Sequence, residues 1–530
     1  MASTSRNIDN VNNSDDSDFV PESDETSVED SSDISDAEDE PRVYNPVWSP
    51  NTAGLRQIPF TEENRLKVSI PGNNKPIDWF YLLFDIILLE NIVRETNRYA
   101  RLVYFSPTLM PKSRINNWRD VTTQELKTFI GILFHMGTVR LNRINDYWKT
   151  GRFFNFPVVR EQMSRDRFLL ILRCIHFADN SKASNDRLMK VRLLVDYFNA
   201  KMDAVYYPCR ELSLDEGMIL WRGRLFFRQY IKGKRHKYGI KVYSLCEPHG
   251  LAVRLTIYSG SDGELSGHGH ASKVVLHLMR GKLSNGHALF MDNYYNSFPL
   301  ASELLSQKTY CTGTLRLDRK HLPEDVKNSK LKKGETIAAY AQGVMVAKWK
   351  DRRVVAYIST EFKNTMAISV NRRQVQREKP LPIVQYNANM KGVDRNDQLM
   401  SYYPMEHKSL RWYKKVFVHM LQMIMVNAYK LHNFANLDTS MSFYDFRLEV
   451  IAALLPEREQ PAPVRPPKNP MHVLSKTYKR DAKGNLVRIR CRVCLQEGRK
   501  DSKTVYICAQ CPGEPALCPI GCYEKYHAPK

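Results

Sequence analysis

Residues 238–258 read YGIKVYSLCEPHGLAVRLTIY, and this stretch decides the fold. Two runs rich in β-branched and aromatic residues, 238–246 and 252–258, flank Pro248-His249-Gly250, the pattern of two strands joined by a turn. Downstream the apolar period switches repeatedly. A helix is predicted around 272–280, a strand at 287–291, a helix around 299–306 and a strand at 310–315. Strands, helix and strand in that succession indicate a mixed α/β domain.

Upstream, from about Pro76 to Leu212, the pattern is helical. Residues 77–94 are apolar nearly all round, as in a buried helix. Thr122-Thr123-Gln124-Glu125 is a capping box opening a helix with Leu126, Phe129, Ile130 and Leu133 on one face. Ser164 caps another helix through Phe168, Leu172 and Ile175. Past the α/β stretch, 316–385 reads as short strands and loops, including 344–349, 354–358 and 366–370. Helix returns from about Ala388, and 411–434 is amphipathic. Six prolines in 456–470 mark a stiff linker.

Charge is split along the chain. Residues 1–42 hold fourteen acids and two arginines, whereas 43–530 hold 77 basic and 43 acidic residues, a net of +34. The tail is predicted to be disordered, and a body this basic expects nucleic acid as its partner. No apolar run approaches the roughly 20 residues of a membrane helix, and the acidic start is not a secretory signal. Cysteines cluster too: six of ten lie between Cys491 and Cys522. Cys491-x₂-Cys494, Cys508-x₂-Cys511, Cys518-x₃-Cys522 and then His527 suit tetrahedral zinc in a module too short to fold without metal. Seven ligands are one short of two sites. His472, a water, or a single fully occupied zinc resolves the count.

The acids that stand out are Asp215 on a short apolar strand, Asp292 between a strand and a helix, and Asp394 with Asp397, three apart on one helix face. Three carboxylates on such elements can converge on two Mg²⁺ ions for phosphoryl transfer. A helix cap at Asp292 and a solvated face at Asp394 and Asp397 are the ordinary alternatives. Residues 222–241 hold eight Lys/Arg and no acid, interleaved with Phe226, Phe227, Tyr230 and Tyr238. Such a stretch can pair with phosphates and stack on unpaired bases; a strand hairpin with a solvated basic edge is the alternative. Arg222, Arg224, Arg228, Lys234, Arg235 and Lys237 are its candidate DNA contacts.

Leu212-Ser213-Leu214-Asp215-Glu216 with Trp221-Arg222-Gly223-Arg224, then Met291-Asp292-Asn293-Tyr294-Tyr295, then Met390-Lys391-Gly392-Val393-Asp394-Arg395-Asn396-Asp397-Gln398 resemble, in order, the three signatures of piggyBac-superfamily transposases. The Arg411-Trp412 helix and the cysteine-rich end follow as in that family. The resemblance implies an RNase H-like α/β catalytic domain with a β-rich insertion, flanked by a helical dimerisation and DNA-binding domain and ended by a cross-brace-type zinc module. Asp215, Asp292 and Asp394 match the Mg²⁺-binding triad, with Mn²⁺ able to substitute, and Asp397 a further required acid; Arg411 and Trp412 match the start of a DNA-binding helix. The domains expected are an acidic tail and lead-in (1–75), helical domain (76–211 and 403–455), catalytic domain (212–315 and 386–402), insertion (316–385), linker (456–485) and zinc module (486–530). The activity expected is excision at terminal inverted repeats through hairpin intermediates and insertion at TTAA, by a nuclear homodimer with no membrane or small-molecule partner. A domesticated, non-cutting DNA-binding or chromatin protein is the alternative.

Overall fold

The computed structural model describes residues 45–457 and 472–528, apart from 53, 105–112, 183, 233–236, 262, 264, 371–373, 375, 406–408, 410 and 501. They fall into two compact units, one ending at Glu457 and one carrying the cysteine cluster.

The first unit opens with a two-residue strand β1 (Arg65–Leu66), which pairs with β2 (Tyr206–Tyr207). Between them lie α1 (Pro76–Leu83), α2 (Ile86–Tyr104), α3 (Thr123–Thr138), α4 (Pro157–Gln162), α5 (Arg165–Cys174) and α6 (Met189–Val205). The single helix expected over 77–94 is broken at Asp85. Its carboxylate accepts the Leu88 amide at 3.1 Å and so starts α2 as a cap residue. The caps at Thr122 and Ser164 form as read: their hydroxyls accept from the Glu125 and Arg167 amides at 3.1 and 3.3 Å.

Among the described residues, nine strands form the central sheet. They are β3 (Glu211–Leu220), β4 (Gln229–Tyr230), β5 (Tyr238–Cys246), β6 (Ala252–Ile257), β7 (Ala288–Met291), β8 (Tyr310–Thr314), β9 (Thr336–Ala341), β10 (Val344–Lys350) and β11 (Val354–Ser359). The core runs β6-β5-β3-β7-β8. Here β3, β5 and β6 are antiparallel neighbours, while β7 and β8 continue parallel to β3. The crossovers carry α7 (His270–Leu278) and α8 (Phe298–Ser306).

The strand-rich segment 316–385 does not stand as a separate sheet. After the short α9 (Glu324–Asn328), its meander β9-β10-β11 hydrogen-bonds onto the free edge of β8 through Tyr357↔Thr314 and Ile358↔Gly313. An unpaired β8 edge would leave its amides and carbonyls without partners, and β11 supplies them. A separate two-stranded hairpin, β12 (Met366–Val370) and β13 (Gln376–Pro380), follows. The chain then returns through α10 (Leu381–Asn389), α11 (Gly392–Tyr402), α12 (Trp412–Ala435) and α13 (Phe443–Leu454).

One apolar cluster joins the helices to the sheet, from Trp79, Phe80 and Phe134 through Leu421 and Met425 to Leu214 and Met291. Each large side chain fully buried there contributes about 1.5–3 kcal/mol. Buried Arg447 of α13 donates to the Phe134 carbonyl at 2.5 Å, tying α13 to the last turns of α3.

Candidate active site and zinc module

Strand register brings the first two acids together. β3 and β7 run parallel with Leu214 opposite Met291. The next residues, Asp215 within β3 and Asp292 just past the end of β7, therefore stand side by side. Each carboxylate is oriented locally: Asp215 Oδ1 accepts the Glu216 amide at 2.8 Å, and Asp292 Oδ1 accepts the Tyr294 amide at 2.9 Å. The second is an Asx-type turn, available because the strand has just ended.

Asp394 and Asp397 arrive on α11, which is seated directly on the sheet. A β carbon at Gly392 would lie 2.3 Å from Ser213 Oγ and 2.4 Å from the Glu247 carbonyl oxygen, so only glycine allows this approach. Asn396 donates to the Gly250 carbonyl at 2.8 Å, and Arg395 donates to that of Pro248. Asp397 lies over Gly217, on the same face of β3 as Asp215, with its Oδ2 3.4 Å from where a β carbon would be. Asp394 is exposed in the first turn. Its charge, with those of Asp215 and Asp292, reaches the Tyr386 hydroxyl on α10, and buried Cys246 feels both Asp397 and Asp215. The four acids thus gather on one side of the β3–β7 edge. Their oxygens are spread more openly than a single-ion cage: among the described residues, the sets of ligating atoms closing within 4.8 Å are two Cys/His groups in the second unit. An open carboxylate set of this kind fits divalent ions that retain waters.

Three supporting residues escaped the sequence reading. Asn296 donates to the carbonyls of Met291, Asp292 and Thr314 at 2.9, 3.0 and 2.9 Å, clamping the ends of β7 and β8. Buried Tyr295 donates to Glu216 Oε2 at 3.0 Å, tying the Asp292 turn to β3. Tyr386 has no signature of its own in sequence. Tyr295 closes the second acidic motif and Asn296 follows it, and that position is the signal that could have found their roles.

The basic stretch divides by exposure. Arg222, Arg224, Lys237 and Arg411 are exposed, while Arg228 is half-buried and donates to the Arg222 carbonyl at 3.1 Å. Lys234 and Arg235 lie outside the described residues. The aromatics behave differently from the expectation of a stacking surface. Trp221 and Phe227 are buried, and Tyr230 packs on Tyr238 with centroids 4.7 Å apart. Half-buried Trp412 meets Phe227 edge-to-face at 5.3 Å, a packing contact that docks α12 on this stretch. Phe226 is 73% exposed, under the Arg187 guanidinium at 3.9 Å.

In the second unit, β14 (Leu474–Lys476) pairs with β17 (Tyr506–Cys508), and β15 (Ile489–Arg490) with β16 (Lys503–Thr504); α14 (Arg492–Gln496) and α15 (Cys522–His527) complete it. The module therefore begins before residue 486. The reading from cysteines alone placed 472–485 in the linker, because the ligand there is a lone histidine. Cys491, Cys494, Cys518 and Cys522 form one group, and His472, Cys508, Cys511 and His527 the other. His472 is the eighth candidate ligand, completing the second group of four. Its Nδ1 lies 3.3 and 3.1 Å from the Cys508 and Cys511 sulfurs, and His527 Nε2 lies 3.2 Å from Cys511 Sγ. His527 Nδ1 donates to the Tyr523 carbonyl at 2.9 Å, which fixes the tautomer presenting Nε2 to a metal. Ligands alternate between groups along the chain, the cross-brace arrangement, and both sets suit tetrahedral zinc.

A mixed α/β body with grouped acids and a terminal zinc module has the form of a transposase-family chain, and comparison with known proteins agrees. A family model described as Transposase IS4 matches residues 75–429, and one described as DDE_Tnp_1-like zinc finger matches 469–528. The chain belongs to the Transposase IS4 family, and its relatives are of the piggyBac type. It is 26% identical over 420 residues to PiggyBac transposable element-derived protein 3 of Homo sapiens, covering 74% of this chain and 68% of that protein. To PiggyBac transposable element-derived protein 2 of Homo sapiens it is 26% identical over 398 residues, covering 72% and 65%. It thus spans about two thirds of each. A solved piggyBac transposase synaptic complex with hairpin DNA superposes with a TM-score of 0.64 at 25% identity, covering 74% of this chain and 83% of that one.

Proposed function

We propose that this chain is a Mg²⁺-dependent DNA transposase that cuts at terminal inverted repeats, passes through hairpin intermediates and joins the element to TTAA targets, as a nuclear homodimer. The observation that carries this reading is the placing of Asp215 within β3 beside Asp292 at the end of parallel β7, with Asp394 on a helix pinned to them. Counted in chain order as first to fifth, the core strands β3, β5, β6, β7 and β8 lie in the order 3-2-1-4-5, which supports the reading as RNase H-like.

Asp215, Asp292 and Asp394 would hold the divalent ions, whose chemistry is to activate an attacking oxygen and stabilise a leaving one. The protein's own contribution is placement. Asn296 and the Tyr295–Glu216 bond hold the Asp292 turn against β3, and Gly392 lets α11 bring Asp394 to the same edge. Exposed Arg222, Arg224, Lys237 and Arg411 would take the DNA backbone, each acting mainly through charge. The zinc module would add affinity and selectivity for the element's ends. Relatives described as transposable element-derived leave the domesticated, non-cutting reading as the rival.

Cleavage of terminal-repeat DNA with Mg²⁺ decides between them. Asp215→Asn, Asp292→Asn and Asp394→Asn should each abolish cutting while retaining DNA binding and fold. Binding without cutting by the unaltered chain, or normal cutting by any of the three variants, counts against the reading.

A further inference from the structure

Phe226 stands apart from the other aromatics of the basic stretch. Its neighbour Phe227 turns inward onto Trp412, whereas Phe226, in the loop between β3 and β4, is 73% exposed. Arg228 closes that loop with two bonds: its amide donates to the Leu225 carbonyl and its guanidinium to that of Arg222, both at 3.1 Å. Two further segments meet at the exposed ring. The Arg187 guanidinium, from the turn before α6, lies over it at 3.9 Å and donates to the Ser259 carbonyl at 3.3 Å. Gly260, with φ at +98°, leaves the space they share. A β carbon there would lie 2.6 Å from Arg187 Nη1 and 3.3 Å from the Phe226 ring. The ring is therefore fixed in place and yet open to solvent.

Its surroundings say what covers it. Arg222 and Arg224 are exposed in the same loop, and residues 222–241 hold eight Lys/Arg and no acid, which draws a polyanion. A ring inserted between two base pairs needs both faces, and here the guanidinium holds one. The open face suits a single unpaired base, with Arg187 adding its charge behind the ring. The strands set where that base lies. From Asp215 to Leu220, where the loop begins, is about 17 Å of strand, or about five nucleotide steps. Gly260 likewise follows the end of β6. We propose that Phe226, backed by Arg187, is a platform on which one unpaired base of the bound DNA stacks, several nucleotides from the cut. This rests on the transposase reading above.

The test is equilibrium binding, without added Mg²⁺, of terminal-repeat duplexes with one mispaired nucleotide walked inward from the element's end. Each is compared with the same duplex lacking that base. For the unaltered chain, one position several nucleotides from the scissile phosphate should bind about 5- to 150-fold more tightly with its base than without, the worth of one stacked base. Phe226→Ala should level the two duplexes at that position, and Phe226→Tyr should keep the difference. Phe226→Leu, apolar but without a π face, should lose most of it. Because the ring is exposed, the three variants should unfold in urea like the unaltered chain. A base dependence found at no position, or one that survives in Phe226→Ala or Phe226→Leu, overturns the platform and leaves the transposase reading standing. If the unaltered chain binds terminal repeats no more tightly than unrelated duplexes of equal length, that reading falls and the platform with it.

Discussion

Gly392→Ala tests whether the seating of α11 sets the active-site geometry. The new methyl would lie 2.4 Å from the Glu247 carbonyl oxygen and 2.3 Å from Ser213 Oγ, against about 3.4 Å for ordinary contact. The serine hydroxyl is buried and bonded to the Cys246 carbonyl at 3.2 Å, and the Glu247 oxygen belongs to backbone, so neither swings aside freely. The helix must lift by about 1 Å. Overpacking of this kind costs about 1–3 kcal/mol. Alanine's better helix propensity returns at most about 1 kcal/mol, and less at the first helical residue. A net destabilisation of about 1–2 kcal/mol is expected in urea unfolding. The effect on chemistry should be larger, because a 1 Å misplacement of reacting groups can cost about 100-fold in rate. Single-turnover cleavage with Mg²⁺ measures it. Gly151→Ala, whose methyl would meet nothing within 4 Å, is the control. If Gly392→Ala cuts and unfolds like the unaltered chain, α11 is not held by this contact. If it loses stability but cuts normally, the packing does not govern Asp394.

Three further outcomes follow from other parts of the molecule. His472→Ala should lower bound zinc below two ions per chain by elemental analysis after dialysis, since it removes one of four ligands from its group; retention of two would remove His472 from the site. Deleting residues 1–42 should raise nonspecific DNA affinity, most at low salt where screening is weakest; equal affinity at low ionic strength refutes competition by the acidic tail. His287 is fully buried, and burial holds its pKa down at about 4, against 6.5 in the unfolded chain. Its contribution to stability is complete above pH 6.5 and is lost as pH falls toward 4, by up to about 3 kcal/mol. His287→Gln should flatten that part of the pH profile of urea unfolding, and an unaltered slope would show that another group governs it.

The parts of this structure written in local chemistry were legible in the sequence. Hydroxyl caps at Thr122 and Ser164, strands at 238–246 and 344–349, and the helix carrying Asp394 and Asp397 depend on neighbours a few residues away. What stayed hidden depends on distant partners. Nothing in Val354–Ser359 says that it pairs with Tyr310–Thr314, 40 residues earlier, because any strand with a free edge satisfies the same pattern. The interleaving of basic and aromatic residues in 221–238 likewise could not tell that Trp221 and Phe227 face inward, since burial is decided by α12 arriving from residue 412. His472 was one candidate among several, being single and separated from its partners by 36 residues. Asn296 was invisible as a clamp because its three acceptors are backbone carbonyls, which every residue possesses.

The annexation of the insertion by the central sheet bears on where related chains can differ in length. β11 shares its hydrogen bonds with β8, whose last residue stands one strand spacing, about 4.8 Å, from Asp292. Residues added or lost in the turn at 351–353, or in the approach on either side of α9, alter only loops. Shortening β11 by one residue would instead flip its side chains to the other face and strip partners from the strand beside the catalytic turn. Divergence in this segment should therefore accumulate as loops of varied length around a strand of constant length, even though β11 contributes no acid to the chemistry.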